Sequence, residues 1–287
     1  MKTRIISAAA AIILLAGVVY LGRVAIGVVI FALALIAVYE FYKALEKGGF
    51  KPVYVLGYLS CLPLLYISVR DILPQAFQTL LSSRLMADLT VSGNGLLFVA
   101  LIIFILLTVL YCFVLFSDGK YTITDVALTL FGMIYVAFLF SFVTLTRNME
   151  MGGLYIWLIF IGAWATDTFA YFTGVTIGKT KILPKISPKK SLEGSIGGVI
   201  GCIIAMMLFG RVFYNEMGIP LVHFAVLGLI CGIISQIGDW SASAIKRTVG
   251  IKDYGNIMPG HGGVLDRLDS ILFVAPTVYF YIKLIAM

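Results

Sequence analysis

The chain has 287 residues, of which 61% are hydrophobic and 12% are charged, with a net charge of +7 and a mean hydropathy of +1.05. Soluble domains carry roughly 45 to 50% apolar and about 25% charged residues, so this composition excludes a water-soluble globular protein. It also excludes a disordered chain and a nucleic-acid-binding protein, because the basic residues are spread between apolar runs. The composition predicts an all-α, polytopic integral membrane protein.

Nine apolar stretches are long enough to be membrane-spanning helices, since crossing about 30 Å of hydrocarbon takes roughly 20 helical residues. They are residues 5–21, 24–39, 53–69, 96–117, 126–145, 153–175, 196–212, 220–238 and 264–285. The first stretch follows a short basic segment, as in a signal peptide, but a second apolar run comes directly after it. This indicates a retained helix. The close spacing of the first two stretches makes eight spans the alternative to nine.

The basic residues predict the orientation of the chain. Lys and Arg in short loops stay in the cytoplasm, and in the nine-span topology most of them fall on the side of the N-terminus. We therefore expect the N-terminus in the cytoplasm and the C-terminus outside. The two longest cytoplasmic loops are residues 178–193 and 239–263. We divide the chain into N-terminal transmembrane helices, residues 1–150, and a C-terminal transmembrane region with these loops, residues 151–287.

The informative residues of the apolar stretches are acids. Asp167 lies within the sixth stretch, Asp239 directly follows the eighth, and Asp266, Arg267 and Asp269 begin the ninth. Ionisable groups are costly in a bilayer unless they are paired, hydrated or bound to a cation. A structural pair with Arg267 is one explanation, but the acids outnumber this cation. Because Mg²⁺ binds one or two carboxylates together with phosphate oxygens, Asp239, Asp266 and Asp269 are candidate metal ligands.

Basic residues of the two cytoplasmic loops are candidate partners of a phosphorylated anion. They are Lys189, Lys190, Lys246, Arg247 and Lys252. Taken alone, a basic loop is also typical of a topology signal or of attraction to anionic lipid. Ser187 and nearby glycines favour anion binding, because hydroxyl and backbone N–H groups can approach phosphate oxygens there.

Residues 259–263 read Pro-Gly-His-Gly-Gly and directly precede the acids of the ninth stretch. Such a sequence predicts a tight loop that leads into the N-terminus of a helix. His261, Gly262 and Gly263 are therefore candidates for substrate contact. The alternative for His261 is an ordinary loop histidine.

Several of these motifs together resemble the signature of the phosphatidate cytidylyltransferases, the CDP-diacylglycerol synthases. The matching segments are Ser243-Ala-Ile-Lys-Arg247, Lys252-Asp253, Pro259-Gly-His-Gly-Gly263, Asp266-Arg-Leu-Asp269, Asp167-Thr-Phe-Ala-Tyr171 and Ser187-Pro-Lys-Lys-Ser-Leu-Glu-Gly194. The family often has Thr and Trp at the positions of Ser191 and Leu192. The resemblance extends from Trp157 to Ile282, whereas residues 1–150 agree only in being apolar helices.

The resemblance implies a membrane enzyme that joins CTP and phosphatidate into CDP-diacylglycerol and releases pyrophosphate, with Mg²⁺ in two cation sites. The expected catalytic residues are Asp239, Asp266, Lys246 and Arg247, and the expected metal ligands are Asp239, Asp266 and Asp269. The expected substrate-binding residues are Ser187, Lys189, Lys190, Lys252, His261, Gly262, Gly263, Arg267 and Asp167. The expected partners are the two substrates and the lipid bilayer, without nucleic acid, and a homodimer is possible. We expect the enzyme in the bacterial inner membrane with its active site towards the cytoplasm.

This chemistry agrees with the residues present. The second pKa of a phosphate monoester is about 6, so phosphatidate is already a nucleophile at pH 7 and needs no general base. Cations must neutralise the phosphates and align them. Because phosphatidate stays in the bilayer and CTP stays in water, we expect a polar cavity at the cytoplasmic interface with Asp167 at its floor.

Two other functions are compatible with parts of the pattern. A transporter of a phosphorylated anion would use Asp167 as a coupling-ion site, although the polar residues concentrate on a single face. A CTP-dependent lipid kinase would transfer the γ-phosphoryl group instead. The product formed from labelled CTP distinguishes the three functions.

Overall fold

The computed structural model describes residues 14–73, 95–257 and 262–285. Within these ranges the chain is helical and has no strand, apart from an isolated β-bridge between Lys181 and Ser191. The helices are α1 (Arg23–Lys47), α2 (Tyr54–Leu59), α3 (Leu62–Val69), α4 (Gly95–Phe116), α5 (Ile123–Arg147), α6 (Gly152–Ile177), α7 (Leu192–Val212), α8 (Leu221–Thr248) and α9 (Leu265–Ile285). Residues 14–20 are also helical, and two short helical turns cover Arg70–Ile72 and Tyr214–Met217.

Six helices, α1 and α5 to α9, are long and apolar enough to cross a membrane. Shorter apolar helices cover Tyr54–Val69 and Ala100–Phe116. These findings confirm the predicted all-α membrane class. Most of the first predicted span, residues 5–21, lies outside the described residues.

The predicted span 53–69 is two short helices in the structure. Helix α2 ends at Leu59, and α3 begins at Leu62 with Pro63 in its first turn. Proline has no N–H group to donate, so it fits the first turn of a helix, where this group has no partner within the helix. Helix α5 contains a π-helical segment, Met133–Phe138, and Tyr135 within it is buried.

Helix α8 continues beyond the predicted end of its span, residue 238, to Thr248. The expected cytoplasmic loop 239–263 therefore begins with helix. The helix ends where Gly250 takes φ 72°, and the N–H groups of Gly250 and Ile251 donate to the carbonyls of Arg247 and Lys246 at 3.2 and 2.9 Å. This is the Schellman arrangement, which favours glycine. The apolar pattern stops at residue 238 because the next turns carry polar side chains.

Helices α6 to α9 pack against one another around small residues. A Cβ atom at Gly198 of α7 would lie 2.9 Å from the carbonyl oxygen of Thr166 on α6. A Cβ atom at Gly228 of α8 would lie 2.7 Å from the Cα atom of Ile203 on α7. Glycine at these positions lets the backbones approach closely, as is usual between membrane helices.

Candidate active site

A cavity of about 340 Å³ lies between α6, the loop that precedes α7, the start of α7, and α8. Predicted site residues from three separate segments line it, namely Asp167, Ser187, Lys189, Lys190 and Asp239. Asp167 is exposed, although it lies within a membrane-spanning helix. The structure therefore brings together, around one cavity, acids and lysines that are far apart in the sequence.

The loop between α6 and α7 is held by the first turn of α7. The side chain of Glu193 accepts hydrogen bonds from the N–H group of Lys179 at 3.0 Å and from the hydroxyl of Thr180 at 3.0 Å. The N–H group of Leu192 donates to the carbonyl of Thr180 at 2.8 Å. Ser191 caps α7 by accepting from the Gly194 N–H group at 3.2 Å. These contacts close the base of the loop that carries Lys189 and Lys190.

The cavity contains a lysine–aspartate pair. Lys190 donates to Oδ2 of Asp239, and each side chain is 27% exposed. The ammonium also lies 5.8 Å from the ring centroid of Trp240, within the range of a cation–π contact. Ser243, one turn further along α8, donates from Oγ to Oδ1 of Asp239 at 3.4 Å. Asp239 therefore faces the cavity with its charge matched by a lysine of the loop.

A second and more buried pair joins α8 to α9. Lys246 Nζ donates to Oδ1 of Asp266 at 2.6 Å, with the two side chains 11% and 3% exposed. The backbone N–H groups of Tyr254 and Gly263 donate to Oδ2 of Asp266 at 2.8 and 3.0 Å. Both carboxylate oxygens of Asp266 are thus bound within the protein. Through Lys246, the pair holds Tyr254 and Gly263, which lie on the loop between α8 and α9, close to the end of α8.

The loop between α8 and α9 is also held by Tyr254, which the sequence analysis did not single out. Its hydroxyl donates to the carbonyl oxygen of Ala242 at 3.3 Å, and its ring centroid lies 5.2 Å from Nζ of Lys246. Burial raises the pKa of Tyr254 far above its usual value, so the hydroxyl keeps its proton and remains a donor.

Two of the other predicted residues, Asp269 and Arg267, lie on α9. Asp269 is buried on α9, accepts from the Ser270 N–H group at 2.8 Å, and interacts electrostatically with Asp239 and Asp167. Arg267 is exposed and interacts electrostatically with Asp167.

Two further predicted residues lie on or after the end of α8. Arg247 donates to the carbonyls of Ile186 and Ile251 at 3.3 and 3.1 Å and so connects the two polar loops. It does not line the cavity in this conformation, and Lys252 is exposed on the second loop.

The glycine-rich loop is described only in part. Gly262 has φ 86°, which favours glycine, and a Cβ atom there would lie 3.0 Å from Oδ2 of Asp266. Gly263 binds the same oxygen through its N–H group. His261, predicted to contact substrate, lies outside the described residues.

The carboxylates near the cavity fit a hard divalent cation whose other coordination positions are filled by oxygens of the substrate. Within the described ranges, no three His, Cys, Asp or Glu side chains form a group that could hold a metal ion. Mg²⁺, however, usually takes only one or two carboxylates and fills its other positions with water and phosphate oxygens. Asp167 and Asp239 both line the cavity, and Asp269 interacts electrostatically with both of them.

A buried acid in the N-terminal half was not predicted from the sequence. Glu40 on α1 is 2% exposed and accepts from the N–H groups of Val264 and Leu265 at the start of α9. Glu40 directly follows the predicted span 24–39 in the sequence. An isolated acid beside an apolar stretch was the signal that could have identified it. Gln236, which lines the cavity, was also not predicted.

The fold and the cavity define an all-helical integral membrane protein with a site built from lysines and aspartates. The chain belongs to the cytidylyltransferase family, whose model matches residues 2–285. This finding confirms the family resemblance seen in the sequence and extends it to the N-terminal helices.

Individual relatives agree with the family match. The chain is 31% identical to the phosphatidate cytidylyltransferase of Bacillus subtilis, over 99% of this chain and 98% of that protein. It is 34% identical to that of Staphylococcus haemolyticus, over 96% of each chain. It is also 31% identical to that of Thermotoga maritima, over 59% of this chain and 63% of that protein.

Proposed function

We propose that this protein is a phosphatidate cytidylyltransferase, which converts CTP and phosphatidate into CDP-diacylglycerol and pyrophosphate. The observation that carries the proposal is similarity over nearly the whole chain to relatives of that name. The cavity supports it, because lysines beside carboxylates are the groups that a reaction between two phosphate esters requires.

In the proposed reaction, a phosphate oxygen of phosphatidate attacks the α-phosphorus of CTP. A new P–O bond forms there, the bond from the α-phosphorus to the bridging oxygen breaks, and pyrophosphate leaves with that electron pair. The attacking phosphate is already ionised at pH 7, so no side chain needs to remove a proton. The chain's contribution is to bind, align and neutralise the phosphates.

The triphosphate is proposed to bind to the basic residues of the two loops. They are Lys189, Lys190, Lys246, Arg247 and Lys252, with Ser187 and His261 as hydrogen-bonding partners. Lys190 is well placed for this role, because it lines the cavity together with Lys189. We propose that it leaves Asp239 for a phosphate of CTP when the nucleotide binds.

The acids are proposed to hold Mg²⁺ in two cation sites. Asp239, Asp266 and Asp269 are the proposed ligands, beside Asp167, which lines the cavity. Asp266 is proposed to join them only once Lys246 leaves its Oδ1 for the triphosphate. When bound, the cation neutralises phosphate charge and makes the pyrophosphate a better leaving group. Departure of Lys190 would free an oxygen of Asp239 for this role.

We further propose nine membrane spans, with the N-terminus in the cytoplasm and the C-terminus outside. Support comes from the six long apolar helices, the two shorter ones and the apolar residues 5–21. In this arrangement the cavity faces the cytoplasm of a bacterial cell and opens sideways to lipid, so that CTP and phosphatidate can meet there.

The test is an assay of purified protein with phosphatidate and CTP labelled in either the α- or the γ-phosphate. We expect label from the α-position, and none from the γ-position, in the lipid product. Label from the γ-position would indicate a lipid kinase, and no label in lipid would contradict both enzymes. Diacylglycerol in place of phosphatidate is the control, because it lacks the attacking phosphate.

A further inference from the structure

A buried carboxylate outside the cavity contacts the turn that begins α9. Glu40 lies on α1, and its side chain reaches residues 224 and 225 positions later in the chain. It accepts from the N–H groups of Val264 at 3.0 Å and Leu265 at 2.8 Å. The first N–H groups of a helix have no partner within that helix. Glu40 therefore supplies the acceptors that the start of α9 lacks.

The backbone on both sides of residues 258–261 packs against the same carboxylate. A Cβ atom at Gly255 or at Gly263 would collide with Oε1 of Glu40. Glycine at these two positions lets the backbone approach this closely. Glu40 thus contacts the loop between α8 and α9 on both sides of residues 258–261.

The turn that Glu40 holds also binds Asp266. Gly263 donates its N–H group to Asp266, and the next two N–H groups donate to Glu40. Lys246 is bound to the other oxygen of Asp266. Because three consecutive N–H groups are shared between the two carboxylates, a displacement of this turn would also displace Asp266 and its lysine.

We propose that Glu40 is a positioning residue for cytidylyl transfer, which fixes the turn before α9 and through it the Lys246–Asp266 pair. This inference rests on the proposed function. A Gln at this position would present an NH₂ donor to one of the two N–H groups, since its amide has a single oxygen. Both oxygens of the glutamate are therefore needed as acceptors.

The test compares Glu40→Gln with Glu46→Gln in the full-length protein, assayed with CTP and phosphatidate and normalised to folded protein. Glu46 is the matched control, because it lies on the same helix but is exposed and pairs with Lys43. We expect kcat/KM of Glu40→Gln to fall about 10- to 100-fold and that of Glu46→Gln to stay at the wild-type value. Glu40→Asp, which keeps the charge, should recover part of the loss.

Hydrogen exchange gives a second measurement that does not depend on activity. We expect faster exchange in Glu40→Gln for residues 254–266 and unchanged exchange in α6 and α7. Wild-type kcat/KM per folded molecule in Glu40→Gln would overturn the inference, whatever the stability of the variant. If Glu40→Gln does not fold, Glu40→Asp takes its place with a smaller expected loss. Failure of both variants to fold would assign Glu40 a purely structural role and also overturn the inference.

Failure of the proposed function gives a different result. In that case the wild-type protein forms no CDP-diacylglycerol, while the exchange of residues 254–266 still reports whether Glu40 holds the turn. If the wild-type protein forms CDP-diacylglycerol and Glu40→Gln is equally active, only the positioning role is contradicted.

Discussion

The side chains of the two lysine–aspartate pairs differ in their exposure to solvent. Lys190 and Asp239 are each 27% exposed, whereas Lys246 and Asp266 are 11% and 3% exposed. Water stabilises the separated charges of a partly exposed pair, so such a pair contributes little to stability. Breaking a buried pair leaves an uncompensated charge in a place that water does not reach. The first pair is therefore suited to exchanging partners, and the second to holding α8 and α9 together.

Replacing Asp239 with Asn should abolish the formation of CDP-diacylglycerol, with kcat lowered about 100-fold or more. The amide keeps the shape of the side chain but loses the charge that binds Lys190 and, as proposed, Mg²⁺. Turnover at saturating substrate over a range of Mg²⁺ concentrations measures the effect. Asp118→Asn is the matched control, because Asp118 is exposed in a turn with φ 52°, a conformation that Asn tolerates. Near-normal turnover with unchanged Mg²⁺ dependence in Asp239→Asn would refute the assignment.

Alanine at the two lysines should have different effects. Lys190→Ala is expected to raise KM for CTP about tenfold, because a charge-assisted contact to phosphate is lost, and to leave the melting temperature near that of the wild type. Lys246→Ala is expected to lower the melting temperature clearly, since Asp266 stays buried without its cation. Steady-state kinetics and thermal unfolding in detergent measure the two quantities. A lowered melting temperature in Lys190→Ala, with an unchanged one in Lys246→Ala, would contradict the proposal that the first lysine binds substrate and the second stabilises the fold.

Among the helices and loops, the segment between α6 and α7 depends on a side chain of α7. Glu193 binds Lys179 and Thr180 at the beginning of the loop, while the lysines that face the cavity lie near its end. A helix that follows a loop can thus set the position of that loop. The sequence showed the loop but not this contact, because the prediction placed Glu193 at the end of the loop and not on the helix that follows it.

Glu193→Gln should loosen this loop and weaken CTP binding. One oxygen becomes an NH₂ group, which cannot accept the hydrogen bonds that close the base of the loop. We expect trypsin to cleave faster within residues 179–190, and KM for CTP to rise more than kcat falls. Glu216→Gln, at an exposed acid after the far end of α7, is the control. Cleavage and KM equal to wild type in Glu193→Gln would contradict a role for this contact.

In the whole molecule, the N-terminal half does more than anchor the chain. Helix α1 contacts α5 through the hydroxyl of Tyr42, which donates to the carbonyl of Thr129 at 2.8 Å. It contacts α9 through Glu40. Residues 1–150 resembled the family only in being apolar helices. This region nevertheless supplies a polar contact, from Glu40, to the turn before α9.

Access to the cavity tests the arrangement of the whole molecule in the membrane. A cysteine at position 167 should react with a polar thiol reagent added on the cytoplasmic side only, and CTP should slow this reaction. The background is Cys112→Ser, because Cys112 is exposed and the other three cysteines are buried. Lys283→Cys serves as the control for the opposite face, as Lys283 is exposed near the end of α9. Equal reaction of Asp167→Cys from both faces would favour a transport pathway, and no reaction from either would favour a buried structural ion pair.

The sequence by itself determined the class of the protein and the chemical groups of its site. Apolar length and composition are properties of local segments, and a bilayer imposes them directly on each helix. Acids and lysines beside such segments stand out because the bilayer makes them costly. The amino-acid pattern alone was therefore enough to single out Asp167, Asp239 and Lys190, which line the cavity in the structure.

Only the tertiary structure decided which of these groups meet. Spacing along a helix tells which side chains share a face, but not which helix that face contacts. Hence the pairing of Lys190 with Asp239 and of Lys246 with Asp266 could not be predicted, and the sequence offered Arg267 as the partner of an acid. The contact of Glu40 with the start of α9 joins residues 224 positions apart. Such a contact depends on how α1 and α9 pack together, which no local pattern in the sequence encodes.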